Sequence, residues 1–154
     1  MDFIFEVLPN IRQNFKSVLE NNSLEDLNKI PKGFNNNIIW NIGHVVVSQQ
    51  ILVYKLSGLP LMVSDELVEK YRKGSKPEAP VTLSEVEEIK GLLFSPIQKT
   101  KEDYFNGVFK DYQEYMVVTT GNTLKNVEDA LQFTMFHEGV HQGYVLALLR
   151  AIKI

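Results

Sequence analysis

The sequence predicts an all-α fold, a single four-helix bundle, and three observations carry that expectation. Long segments repeat apolar residues at steps of three and four, and no stretch of similar length alternates apolar and polar residues as a half-buried strand does. Clusters of Asn, Gly, Pro and Ser separate those segments where the chain must turn. A length of 154 residues suits one domain around one core.

In the first helical segment Ile4, Leu8, Ile11, Phe15 and Val18 form one buried stripe. Pro9 falls inside it and predicts a kink or the start of its regular part. Asn21-Asn22-Ser23 ends this helix, and Ser23 caps a short turn through Asn28 with Glu25 and Asp26 in its first positions. Residues 31–36 read as a loop. The second helix spans about Asn37 to Ser57 and stops at Gly58 and Pro60. Apolar residues occur nearly all round it, which places it deep in the bundle.

Residues 59–82 are the least regular part, with one short helix from Ser64 to Arg72 and a break at 74–77. The third helix starts near Ser84 as cap. Its stripe (Val86, Ile89, Leu93, Ile97, Tyr104) keeps phase through Pro96, so one kinked helix ending at Asn106-Gly107 is expected. Residues 115–120 read as extended. The fourth helix runs from a cap at Asn122 or Thr123 to about Ile152. No sheet beyond a short hairpin is expected.

Composition narrows the chemistry. The absence of cysteine excludes disulfides, thiolate metal sites and thiol nucleophiles, so a transition metal would need histidine, carboxylate or water. A net charge of −3 gives no basic footprint for nucleic acid. No apolar run approaches the ~18–20 residues of a membrane span. The N-terminus lacks the basic patch and cleavage site of a signal peptide, and the expectation is a cytoplasmic protein without a membrane partner.

The strongest local feature is His137-Glu138-Gly139-Val140-His141. Histidines four apart on a helix differ by about 40° in azimuth and one turn in height, so both imidazoles can grip one ion. Ala130, Thr134 and Leu148 lie within about 20° of His141, so the pair points inward. His44, the only other histidine, sits in the middle of the most apolar helix, and Gly43 before it would let a neighbour approach closely. A lone buried histidine is usually a satisfied core residue. Three of them on buried helix faces, with none on the surface, match the ligand count of an open zinc site.

The same residues match the metalloprotease pattern H-E-x-x-H, in which the glutamate is the general base. No third ligand follows, because residues 147–154 hold none and Tyr144 and Ala147 break the longer form. Glu138 stands about 100° from His137 and 60° from His141, so as a candidate base it competes with a supporting or surface role. Tyr144, on nearly the same face as His141, is a candidate donor to a metal-bound oxygen or a core tyrosine.

Asn37-Ile38-Ile39-Trp40-Asn41-Ile42-Gly43-His44, followed by Phe136-His137-Glu138-Gly139-Val140-His141-Gln142-Gly143, resembles the DinB superfamily, which is related to bacillithiol- and mycothiol-dependent transferases. The paired elements are x-x-W-x-x-G-H on helix two and H-x-x-x-H-x-G on helix four. The Ser23–Leu27 turn and the long connection after helix two agree with it. The resemblance implies an up-down-down-up four-helix bundle, often a homodimer, with zinc or nickel on His44, His137 and His141. It also implies thiol transfer, isomerisation of thiol adducts or hydrolysis on a small-molecule substrate, with a low-molecular-weight thiol as possible co-substrate. Family members often carry Gln after the second glycine, where this chain has Tyr144. A non-catalytic, metal-stabilised helical dimerisation module is the alternative, and a dry, closed site would mark it. A role in DNA damage finds no support in the acidic composition.

Overall fold

The apolar stripe of the first helix is built as α1 (Asp2–Asn21) in the computed structural model, which describes residues 1–153. Ile4, Leu8, Ile11 and Phe15 are buried, and Leu19 rather than the half-buried Val18 completes the stripe. The helix continues through Pro9. Proline lacks the N–H that the Phe5 carbonyl would accept, but the buried residues on both sides hold the two turns on one face. Ser23 caps α2 (Leu24–Asn28), its hydroxyl accepting from the Asp26 amide at 3.1 Å.

Asn37 caps α3 (Ile38–Val53) by accepting from the Trp40 amide at 2.9 Å. A single 3-10 turn at Lys55–Ser57 follows, and Gly58, at φ 69°, ends the run. The short helix expected from Ser64 to Arg72 is α4 (Asp65–Tyr71), with Ser64 as its cap.

The third helix differs from expectation. It is two helices, α5 (Leu83–Gly91) and α6 (Ser95–Phe105), capped first by Thr82 rather than Ser84. Pro96 sits in the first turn of α6, where a missing N–H is harmless. A continuous helix would have placed it in the interior, against the carbonyl of Leu92. The stripe does keep phase across the break, with Val86, Ile89, Leu93 and Ile97 all buried.

The last helix, α7 (Val127–Ala151), is capped by Asn126, not by Asn122 or Thr123. Those two residues are used upstream. Thr123–Leu124 forms β2, antiparallel to β1 (Tyr115–Met116), and the Asn122 carbonyl accepts from the Val117 amide at 2.8 Å. Only the first two residues of the expected 115–120 strand are paired. The Tyr112 hydroxyl donates to the Leu52 carbonyl at 3.0 Å and the Gln113 amide to Leu56 O at 2.6 Å. These bonds hold the segment before the hairpin against the end of α3.

The four bundle members are α1, α3, the α5–α6 pair and α7, with α3 packed chiefly on α7 and α1 on α7, α5 and α6. Among the described residues no helix is long and apolar enough to cross a membrane.

Candidate metal centre

Every residue of α3 from Ile38 to Gln50 is buried, so its polar side chains must find partners inside the protein. Gln49 donates to Thr100 Oγ1 at 2.8 Å, and Gln50 accepts from the Met62 amide at 2.8 Å. Asn41 donates to the Asn37 carbonyl at 2.7 Å, which fixes its amide and leaves Oδ1 as an acceptor. That oxygen takes a hydrogen bond from His141 Nδ1 at 2.8 Å.

His44 is held in the same manner. Its Nδ1 lies 2.6 Å from the Tyr71 carbonyl, which can only accept, so Nδ1 carries the proton. The ring stacks on Trp40 with 4.7 Å between centroids and 9° between planes. Trp40 is fixed in turn by donating to Ser75 Oγ at 3.0 Å. Gly43 gives Tyr71 its place, because a Cβ there would come within 2.6 Å of the tyrosine ring. Gly43→Ala is therefore expected to push Tyr71 and its carbonyl away from His44. A loss of about 1–3 kcal/mol in denaturant midpoint analysis follows from overpacking, with weakened metal binding by titration.

The structure brings the three histidines together, His44 from α3 and His137 and His141 from α7. Their ring centroids are separated by 5.1 Å (His44–His137), 4.8 Å (His44–His141) and 4.5 Å (His137–His141). One nitrogen from each lies within 4.8 Å of the others. With Nδ1 of His44 and His141 bonded to protein acceptors, Nε2 remains as the lone-pair donor of each. A supporting acceptor behind the ligating imidazole is the usual arrangement at a metal site. The donor set thus fits a divalent transition ion.

Burial lowers the pKa of all three histidines. His137 is pushed down to about 3, with added repulsion from His141, His44 and Arg12, and His141 to about 4 with help from His44. For His44 burial outweighs the bond to Tyr71. Neutral imidazoles at pH 7 are ready ligands. Unfolded imidazoles take up protons from about pH 6.5 downward, while the folded rings resist, so the unfolded state holds more protons in that window. Metal-free protein should lose stability as pH falls from about 6.5 towards 4. Urea midpoints measured across that range should show a shallower decline for His137→Gln than for wild type.

The triad opens onto a cavity of about 270 Å³. Residues of α3 and α7 form most of its wall, Ile51, Leu52, Phe133, Phe136 and Val140 being the apolar ones, with Leu56, with Tyr115, Val117 and Thr119 of the hairpin region, and with Lys73 after α4. Ser48, one turn beyond His44, also lines it and places its hydroxyl 3.2 Å from His44 Nε2.

Glu138 and Tyr144 lie elsewhere. Glu138 is fully buried and absent from the cavity lining, its carboxylate gripped by Arg12 through Nε–Oε2 at 2.8 Å and Nη2–Oε1 at 2.6 Å. Burial pushes this carboxyl up and the guanidinium draws it back. With both oxygens held by Arg12 and no part in the cavity lining, the placement gives no support to a general-base role or to the protease pattern. Tyr144 is 41% exposed and packs edge-on against Phe34 at 5.5 Å, so it is neither in the core nor at the cavity. The azimuth that groups it with His141 carries it past the opening.

Sequence reasoning missed Asn41, Tyr71 and Arg12 as supporting residues. Asn41 stands three residues before His44 in the otherwise apolar stretch Ile38–Gly43, and a buried amide there signals a polar partner nearby. Arg12, within the apolar stripe of α1, is the same kind of signal.

The fold and site define a helical bundle that gathers three neutral imidazoles at the floor of an open cavity. The chain belongs to the DinB superfamily, whose family model matches residues 8–145. No curated protein matches the chain.

Proposed function

We propose that the chain is a divalent-metal-dependent enzyme of the thiol-transfer or hydrolytic type, with His44, His137 and His141 holding the ion. The observation that carries this reading is the union of three lone-pair imidazole nitrogens with a cavity that reaches them. A sealed site would have favoured a purely structural metal. Zinc or nickel held there would supply Lewis acidity and lower the pKa of a coordinated water or thiol. The chain's own residues do the rest. Tyr71 and Asn41 fix the tautomers of His44 and His141, and Trp40 fixes the plane of His44. The Ser48 hydroxyl lies 3.2 Å from His44 Nε2 and can orient a small polar ligand beside it.

The same reading includes a homodimer. Phe136, Val140 and Leu146 on α7 are each 51% exposed, and Gly139 and Gly143 between them have open space above their backbones. Covering that face with a second copy in the cytoplasm would remove the exposed apolar surface. Sedimentation should give twice the chain mass, and Leu146→Glu, away from the cavity, should shift it to the monomer.

The functional test uses metal-loaded protein without a histidine tag. Activity is expected on a panel pairing low-molecular-weight thiols with electrophiles, or on esters and amides. His44→Ala should abolish it while preserving helicity by circular dichroism. Full activity in His44→Ala, or inert protein across both panels, would overturn the proposal in favour of a binding module.

A further inference from the structure

We infer that the cavity over the three histidines selects a small monoanion with an apolar, aryl-type body, its negative group paired with Lys73. This deepens the functional reading above, because it names the substrate class of the same cavity.

The walls decide the body. Phe133 and Phe136 stand 5.9 Å apart between centroids, and Phe133 lies 5.8 Å from His137, so one aromatic surface runs from the rim down to the imidazoles. Ile51 and Val140 extend the apolar lining. A flat hydrocarbon ring gains both area burial and offset aromatic contact there. The polar groups of the lining are few, so a polyhydroxylated or sugar-bearing ligand would leave most of its hydrogen bonds unmade. The volume of about 270 Å³ lies just below the ~300–1,000 Å³ of drug-sized sites, which points to a small molecule.

The charge follows from what lines the cavity and what does not. No Asp or Glu is among its lining residues. Lys73 is its one charged lining residue, and among the described residues its ammonium has no ion-pair partner. Its neighbour Arg72 is paired with Glu69 at 2.8 Å and so is not an equivalent receptor. A cationic ligand would meet only repulsion, a neutral one would leave Lys73 unused, and a monoanion complements the site.

Binding to metal-free and zinc-loaded protein, followed by NMR titration, tests this with three molecules of one shape: phenylacetate, phenylacetamide and phenethylamine. In metal-free protein phenylacetate should bind about three- to five-fold more tightly than phenylacetamide, as a partly exposed ion pair allows, and phenethylamine least. Lys73→Gln, an exposed loop change that leaves the fold intact, should erase the preference and leave phenylacetamide unaffected. Equal binding of acid and amide, a preference that survives Lys73→Gln, or binding of none of the three would overturn the inference. A preference seen only in zinc-loaded protein would make the ion the anion receptor, overturning the role of Lys73 while leaving the functional reading intact. Protein that shows the Lys73-dependent preference but binds no zinc would support the inference and overturn the functional reading.

Discussion

Replacing Arg12 with Met is expected to lower folding stability by about 3–5 kcal/mol, the usual consequence of stranding one partner of a buried ion pair. Both side chains are fully buried, and the guanidinium holds both carboxylate oxygens while its Nη2 also reaches the Val45 carbonyl at 3.4 Å. Without it Glu138 has no charged partner among the described residues. The carboxyl would then take up a proton on folding, so the variant should regain stability relative to wild type as pH falls towards the ordinary glutamate range. A second change isolates the cause. Arg12→Met combined with Glu138→Leu should restore stability to within about 1 kcal/mol of wild type or above it, since apolar replacement of a whole buried pair is often neutral or better. Urea unfolding of the two variants measures both effects. A single variant within about 1 kcal/mol of wild type would show that the pair does not hold α1 to α7.

That pair also shows where the sequence was legible and where it was not. Helix periodicity located α1, α3 and α7 because each buries a wide apolar face, and the Ser23 cap was legible as a short polar side chain before a helix, whereas Asn37 and Ser64, read as first helical residues, are caps. The phase of Val86, Ile89, Leu93 and Ile97 was read correctly, yet phase alone cannot tell a kinked helix from two helices that share a face. Thr123 looked like a cap because it precedes an apolar run, whereas its backbone is claimed by pairing with Met116. Such a bond is not local in sequence. The three histidines were legible as a set because all fall on buried faces. Glu138 was not, because its azimuth lies between the core and the cavity, and only the distant Arg12, 126 residues away, decides which it joins.

Zinc should raise the thermal stability of the wild-type protein and leave His137→Ala unchanged. At a free concentration of about 100 times Kd, an ion bound only by the folded state contributes about 2.7 kcal/mol. For a chain of this size that corresponds to about 5–10 °C in Tm. Among the described residues His137 has no protein hydrogen bond to lose, and it is only partly buried, so its replacement should disturb the metal-free fold little. The comparison therefore reads ligation rather than packing. An equal zinc shift in His137→Ala would place the ion elsewhere.

The central claim is that His44, His137 and His141 form one open divalent-metal site, and X-ray absorption on tag-free, zinc-reconstituted protein tests it most directly. The expected result is one ion per chain with three imidazole nitrogens at about 2.0–2.1 Å and one further light-atom ligand, lost in His44→Ala. An ion with fewer than two imidazoles, or a spectrum that His44→Ala leaves unchanged, would contradict it.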